Sequence, residues 1–267
     1  MIKDITLGQY FPGNSLLHRL DPRCKLILVV LYMVFLFVTK NPWVYLGLGV
    51  LLTLFVLVSK IPVGFFLKGL KPVAFLIAFT AVFNLFFGSA NAAHVYFSWG
   101  IIRITDAGIR QALLMAVRIL LLVSATSLLT FTTTPILLTD ALERLLSPLK
   151  KLGVPVYEFA MMMTIALRFI PTLIEEVDKI IKAQAARGAD FDSGSLLQRA
   201  KSFVPVLVPL FISAFRRADD LATAMESRCY HGGEGRTRLR ELRYAKRDIF
   251  AFLLFALIGI GLILLLV

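Results

Sequence analysis

Residues 109–130 read IRQALLMAVRILLLVSATSLLT and contain only two charged side chains, Arg110 and Arg118. An α-helix needs roughly 20 consecutive, mostly apolar residues to cross the hydrocarbon core of a bilayer. This run is long enough, so we predict that it is a transmembrane helix. The chain that carries it is predicted to be an all-α membrane protein.

Four other apolar runs bring the predicted number of transmembrane helices to about five. The whole chain is 58% hydrophobic and only 17% charged, with a mean hydropathy of +0.80, which is far more apolar than a soluble domain. Asp21-Pro22 predicts the start of the first helix, with aspartate as the N-cap and proline at the first helical position. The four runs are residues 26–38, 43–58, 73–87 and 249–267.

The segment between the third and fourth predicted spans, residues 89–108, is polar and rich in turn-forming residues. Two short apolar patches, at residues 95–97 and 100–102, interrupt it. We interpret the segment as an external loop, and both a small hairpin and an unstructured linker are compatible with it.

Lysine and arginine are distributed very unevenly between the two predicted sides of the membrane. If the N-terminus is cytoplasmic, 25 of the 29 basic residues fall on the cytoplasmic side. The positive-inside rule therefore predicts a multi-pass protein of the cell membrane with a cytoplasmic N-terminus. The net charge of +12 is then explained by topology and by contact with anionic lipid, and no nucleic acid is expected as a partner.

The predicted spans divide the chain into three parts. Residues 1–133 form a membrane domain with four transmembrane helices, residues 134–246 form a cytoplasmic domain of amphipathic coupling helices, and residues 247–267 form a C-terminal transmembrane helix. In the middle part, apolar residues at helical spacing predict a long helix over residues 156–187, kinked by Pro171, and another over residues 195–228. Both are predicted to lie at the cytoplasmic interface and to pair like a hairpin.

Each of these two helices ends in an arginine between small residues: Ala186-Arg187-Gly188 and Ser227-Arg228-Cys229. A cation and a glycine at a helix C-terminus can simply terminate the helix. The repetition favours a second interpretation, in which each guanidinium binds a carboxylate of a partner protein. Because cysteine enters the left-handed region less readily than glycine, the second helix is predicted to end differently, with Gly232 making the reversal.

Several motifs spread over nearly the whole chain resemble the transmembrane T component of energy-coupling factor (ECF) transporters, a class of ABC transporters. The similarity rests on their combination, since none is specific alone. They are Pro12-Gly13-Asn14-Ser15, His18-Arg19-Leu20-Asp21-Pro22-Arg23, Thr132-Thr133-Thr134-Pro135, Ala166-Leu167-Arg168-Phe169-Ile170-Pro171, Ala183-Gln184-Ala185-Ala186-Arg187-Gly188 and Gly232-Gly233-Glu234-Gly235-Arg236-Thr237.

The resemblance implies a non-catalytic scaffold for the import of a vitamin or micronutrient. Such a subunit joins a substrate-binding membrane S component to two cytoplasmic ATP-binding cassette ATPases. It also implies that Arg187 contacts one ATPase and Arg228 the other, with Ser227 and Cys229 departing from the usual Ala-Arg-Gly. No catalytic residue, cofactor or metal is then expected in this chain, since ATP and magnesium are bound by the ATPase subunits.

Three alternatives remain at this stage. The chain could belong to a module dedicated to cobalt, nickel or a single vitamin, or it could be a conventional ABC permease subunit. Asp190 and Asp192 could instead serve a metal-dependent membrane transferase, although no other ligands accompany them. The chain lacks a GxxxxGK[ST] loop, so it is not predicted to be the ATPase itself.

Arg118 lies inside a predicted span, and both a functional role and snorkelling toward the outer interface are open.

Overall fold

The computed structural model describes residues 10–39, 41–87, 95–99, 102–191, 195–232, 242 and 244–264. The described residues form two compact units. The first unit takes those up to Ala141 and those from Leu242 onward, and the second takes those in between. In chain order the elements are α1 (Pro22–Val38), α2 (Pro42–Ser59), α3 (Val63–Phe87), β1 (Val95–Trp99), β2 (Ile102–Thr105), α4 (Asp106–Thr132), α5 (Pro135–Leu146), α6 (Val156–Ala186), α7 (Leu196–Ser202), α8 (Val204–Glu226) and α9 (Lys246–Leu264), with a 3₁₀ helix at Ser147–Leu152 between α5 and α6.

Side-chain caps set the starts of the first helices. The Asp21 carboxylate accepts a hydrogen bond from the Arg23 backbone N–H at 2.8 Å, with Pro22 at the first helical position. This confirms the predicted start of α1. Asn41 and Pro42 start α2 in the same way, because the Asn41 side chain accepts from the Trp43 N–H at 3.1 Å. In each case the cap satisfies an N–H that has no partner inside the helix.

The segment between α3 and α4 contains a small antiparallel hairpin. β1 pairs with β2 in the register Phe97↔Ile104 and Trp99↔Ile102, with an irregularity between Val95 and Phe97. Of the two interpretations of residues 89–108, the hairpin is therefore the one observed for the described part. It is the only sheet in that part, so the predicted all-α membrane class is confirmed apart from this local feature.

The first unit has its core where α1, α2, α4 and α9 meet. Leu36, Leu48, Leu121 and Phe255 belong to one buried cluster there. Many large apolar side chains on the outside remain exposed, and Phe75 on α3 is 78% accessible. Exposed apolar surface of this extent would be unfavourable in water but suits contact with lipid chains.

Four helices of the described part are long and apolar enough to cross a membrane: α2, α3 over Val63–Leu85, α4 and α6. Three of them correspond to predicted spans, although α3 begins ten residues before the predicted start and carries Lys68, Lys71 and Pro72 inside it. The other two predicted spans are not among these four. α1 has only 17 residues. The side chains of residue 260 and of residues 262–264 in α9 lie outside the described part of the chain, as do residues 265–267. The fourth of these helices is α6, which the sequence placed at the interface.

Arg118 on α4 binds Tyr45 in α2 and Thr39 at the end of α1. Its guanidinium donates to the Tyr45 hydroxyl, with Nε at 2.8 Å, and to the Thr39 carbonyl at 3.3 Å. The Tyr45 hydroxyl in turn donates to the carbonyls of Leu36 and Thr39, each at 3.1 Å. Arg118 therefore joins three helices of this unit, a structural contact that the sequence did not predict.

A buried carboxylate connects the start of α9 to the start of α1. Asp248 is 1% exposed, and its two oxygens accept from the backbone N–H groups of Asp21 at 2.8 Å and Ala245 at 2.7 Å. Arg23 reinforces the same junction by donating to the Leu242 carbonyl at 2.8 Å. A buried polar group of this kind is tolerated because its hydrogen bonds are satisfied.

The second unit contains the amphipathic helices. α6 follows its prediction to within one residue and continues through Pro171. The helix predicted over residues 195–228 is divided into α7 and α8 at Phe203. Pro205 explains the break, since it lacks the N–H that a continuous helix needs there and its ring clashes with the preceding turn. Proline is well tolerated in the first turn of a new helix.

Candidate functional site

The C-terminus of α6 is closed by backbone hydrogen bonds around Arg187. The Gly188 N–H donates to the Ala185 carbonyl at 2.9 Å, and the Ala189 N–H donates to the Gln184 carbonyl at 3.0 Å. Gly188 has a φ of +88°. This is the Schellman arrangement, in which a left-handed residue after the cap turns the chain back. Arg187 is therefore the C-cap of α6, on the last turn of the helix.

The C-terminus of α8 has the same closure, 41 residues further along the chain. The Cys229 N–H donates to the Glu226 carbonyl at 2.9 Å, and the Tyr230 N–H donates to the Met225 carbonyl at 3.0 Å. Arg228 thus occupies the same place in its closure as Arg187 does in the first. The two arginine motifs share a backbone conformation as well as a sequence pattern.

The prediction that Cys229 would end α8 differently is wrong. Cys229 adopts the left-handed conformation, with a φ of +56°, at the position that Gly188 occupies after α6. Gly232 also has a positive φ of +98°, but it follows a closure already made by the Tyr230 amide. Two backbone hydrogen bonds evidently compensate the steric cost of a Cβ in this region, which is about 1–2 kcal/mol.

This strain leads to a prediction for the backbone. Cys229→Gly should stabilise the closed helix end by roughly 0.5–1 kcal/mol, the strain released less the extra chain entropy of glycine. We expect hydrogen exchange of the Tyr230 amide to slow about two- to fivefold. Gly188→Ala, which introduces the opposite change after α6, should speed exchange at Ala189. Equal Tyr230 exchange in the Cys229→Gly variant and the parent would contradict the prediction.

Both arginines are accessible. Arg187 and Arg228 are exposed, as are the small residues before them, Ala186 and Ser227. Apart from Gly188 and its two chain neighbours, no residue has an atom within 4 Å of the place where a Cβ would be added to Gly188. Among the described ion pairs, none includes either arginine. A planar guanidinium with open space beside it is well suited to bind a carboxylate through two parallel hydrogen bonds.

The contacts between α6 and α8 show that the two helices are antiparallel, which confirms the predicted hairpin-like pairing. The Gln184 side chain donates to the Pro205 carbonyl at 3.3 Å, and the Tyr230 hydroxyl lies 3.0 Å from the Met161 sulfur. These contacts are about 35 Å apart along α6, given a rise of 1.5 Å per residue. Arg187 and Arg228 therefore lie at opposite ends of the pair, a question the sequence left open.

Between these end contacts, α8 is joined to α6 by a carboxylate. Glu176 accepts from the Ser213 hydroxyl at 2.6 Å through Oε1, and its Oε2 pairs with the Arg217 guanidinium. Both donors lie on one face of α8, since they are four residues apart. In the sequence, Glu176 stands close to two other acidic residues of the same helix, Glu175 and Asp178. The one available signal was that Glu176 and Arg217 precede the two motif arginines by the same number of residues.

A cleft separates α6 and α8 on the Arg228 side of this ion pair. It has a volume of about 260 Å³. The lining side chains are apolar apart from Arg217, so the two helices leave a hydrophobic space between them. They are Ile165, Phe169 and Leu173 from α6 and Ala214, Arg217, Ala218, Leu221, Ala222 and Met225 from α8.

The other chemistry considered for this chain was a metal-dependent reaction at Asp190 and Asp192. Within the described part of the chain, no group of three or more His, Cys, Asp or Glu side chains could hold a metal ion. Asp190 follows the end of α6, and Asp192 lies outside the described residues. Cys24 is buried in the first unit and Cys229 is exposed in the second, and both are free thiols.

The fold and the site together define a multi-pass, all-α membrane protein that carries a pair of amphipathic helices with exposed arginine ends. A family model described as cobalt transport protein, CbiQ, matches residues 13–239. The chain is 59% identical to the energy-coupling factor transporter transmembrane protein EcfT of Ruminiclostridium cellulolyticum, covering 93% of this chain and 92% of that one. It is 47% identical to the protein of that name from Bacillus subtilis, covering 93% of each chain. The chain belongs to this family, as a transmembrane component of energy-coupling factor transporters.

Proposed function

We propose that this chain is the non-catalytic coupling subunit of an ATP-driven importer, and that Arg187 and Arg228 each bind one of two cytoplasmic ATP-binding cassette ATPases. One observation carries the proposal: two helices with the same closure present exposed arginines at opposite ends of one antiparallel pair. Two separate partners can bind such ends at once, each through a carboxylate groove that accepts a guanidinium.

The orientation follows from the charge distribution. With the N-terminus in the cytoplasm, the second unit faces the ATPases, which is where most of the lysines and arginines lie. ATP binding and hydrolysis then take place in the partner subunits, which supply the nucleotide and magnesium sites. Movement of the two arginine ends is transmitted through α6 and α8 to an S component in the membrane, and this component binds the vitamin or micronutrient.

A dedicated metal importer is the second candidate, favoured by the description of the matched family as cobalt transport protein. The mechanical role of Arg187 and Arg228 is the same in both cases. The difference lies in the substrate-binding subunit, because substrate is recognised by another chain. Co-purification in detergent separates the two, since a shared coupling subunit brings down several S components and a dedicated one brings down a single type.

The proposal is tested with a double charge reversal, Arg187→Glu with Arg228→Glu. We expect the double variant to insert into the membrane normally but to lose both ATPases on purification, with uptake into cells or vesicles abolished. Arg216→Glu is the matched control, because Arg216 is an exposed arginine on the body of α8. Retention of both ATPases and of uptake by the double variant would refute the proposal.

A further inference from the structure

The ion pair between α6 and α8 lies at equal distances from the two arginine ends. Glu176 is eleven residues before Arg187, and Arg217 is eleven residues before Arg228. We call the helix segment from the ion pair to each arginine an arm. Each arm is about 16 Å long at a rise of 1.5 Å per residue. The contact therefore lies midway between the two arginine ends.

Glu176 is held on both of its oxygens, which constrains how the helices can move. Ser213 binds one oxygen at 2.6 Å and Arg217 binds the other. A slide of α6 along α8 by one helical turn, about 5.4 Å, would break both hydrogen bonds. A change in the angle between the helices moves the atoms at this contact very little, and it separates instead the end contacts of Gln184 with Pro205 and of Tyr230 with Met161.

The surroundings of the ion pair fit rotation about this point. Glu176 and Arg217 are partly enclosed, with side chains 23% and 31% exposed. Among the described ion pairs, this one alone joins α6 to α8. On one side of it, the apolar cleft faces Ala214, Ala218 and Ala222. Small side chains let one helix approach another without a clash, so the cleft leaves room for the arms to close.

We propose that Glu176, with Ser213 and Arg217, is the pivot of the α6–α8 pair, and that it couples the positions of the two arginine ends. It is a positioning residue, which prevents sliding and permits rotation. Because the helices cannot slide past each other, a displacement of one arginine end along the helix axis is passed on to the other end. The consequence for transport rests on the proposed function.

The pivot is tested first in the chain alone, in lipid nanodiscs without any ATPase. Spin labels at Ala183 and Ala224, four residues before each arginine, report the distance between the ends when the exposed Cys229 is replaced by serine. We expect Glu176→Ala to broaden the distance distribution at least twofold. The reversed pair, Glu176→Arg with Arg217→Glu, should narrow it again. Glu175→Ala is the matched control, since it removes the same charge from the neighbouring, exposed position.

The coupling role is tested in the reconstituted transporter. Glu176→Ala should keep both ATPases and their ATP hydrolysis but lower the uptake per ATP hydrolysed about tenfold, with recovery in the reversed pair. Glu176→Gln, which keeps the shape and the bond to Ser213, serves if the alanine variant does not fold. An unchanged distance distribution, an unchanged ratio of uptake to hydrolysis, or no recovery in the reversed pair would overturn the proposal. Failure of the proposed function would appear separately, as ATPases that bind regardless of Arg187 and Arg228.

Discussion

Replacing Arg187 alone by glutamate is expected to release one ATPase from the purified complex and to leave the other bound. Arg228→Glu should have the complementary effect. The reason is geometric, since the two arginines lie at opposite ends of the α6–α8 pair and a single groove cannot hold both. If the two ATPases are different proteins, each variant should lose a different one.

The expected loss of affinity is large. Breaking one partner of a desolvated, hydrogen-bonded charge pair costs about 2–5 kcal/mol, and a glutamate adds repulsion against the carboxylate it faces. We therefore expect binding at the altered end to weaken by roughly a hundredfold or more. The backbone closure should survive, because Arg187 and Arg228 contribute only main-chain groups to it.

Native mass spectrometry of the detergent-solubilised complex measures this directly, because it counts each ATPase bound to the chain. Arg216→Glu again provides the control and should retain both. Release of both ATPases by either single variant would mean that the two ends do not bind independently. Release of neither ATPase would show that the two arginines do not contribute to the interface.

Asp248→Ala is expected to destabilise the first unit strongly. Two backbone N–H groups, those of Asp21 and Ala245, would lose their acceptor, and Asp21 is buried. Hydrogen bonds to a charged acceptor contribute about 1.5–3 kcal/mol each, so the loss should be about 3–5 kcal/mol.

Thermal unfolding in detergent should show this loss as a fall in the midpoint of about 10 °C. Asp106→Ala is the matched control, since Asp106 also lies in the first turn of a helix but is exposed. Loss of the Asp106 carboxylate should lower the free energy of unfolding by less than about 1 kcal/mol, as expected for an exposed carboxylate at a helix N-terminus. If the unfolding midpoint of Asp248→Ala equalled that of the control, the junction between α1 and α9 would not contribute to stability.

Much of the architecture was predictable because it depends on local patterns. Asp21-Pro22 predicted the start of α1, and apolar residues at helical spacing predicted α6 to within one residue. The division of α7 from α8 was missed, although Pro205 was visible, because a proline in a helical pattern can kink a helix, end it or start a new one. The length of α3 was missed because Lys68 and Lys71 resemble flanking residues.

The candidate site was predictable in its residues but not in its geometry. The repeat of an arginine between small residues identified Arg187 and Arg228. The conformation of Cys229 was predicted wrongly, because the rarity of left-handed cysteine is a statement about isolated residues. The Schellman hydrogen bonds of its neighbours outweigh that preference, and sequence does not show those bonds.

By itself, the sequence determined that this chain is an all-α membrane protein with two arginine-ended amphipathic helices, because hydropathy and helical periodicity are properties of short segments. The hairpin-like pairing of α6 and α8 was predicted, but only the tertiary structure decided that their arginines lie at opposite ends and that Glu176 meets Ser213 and Arg217 midway between them. Those facts depend on how one helix packs against another, and residues about forty positions apart carry no local signal of that contact.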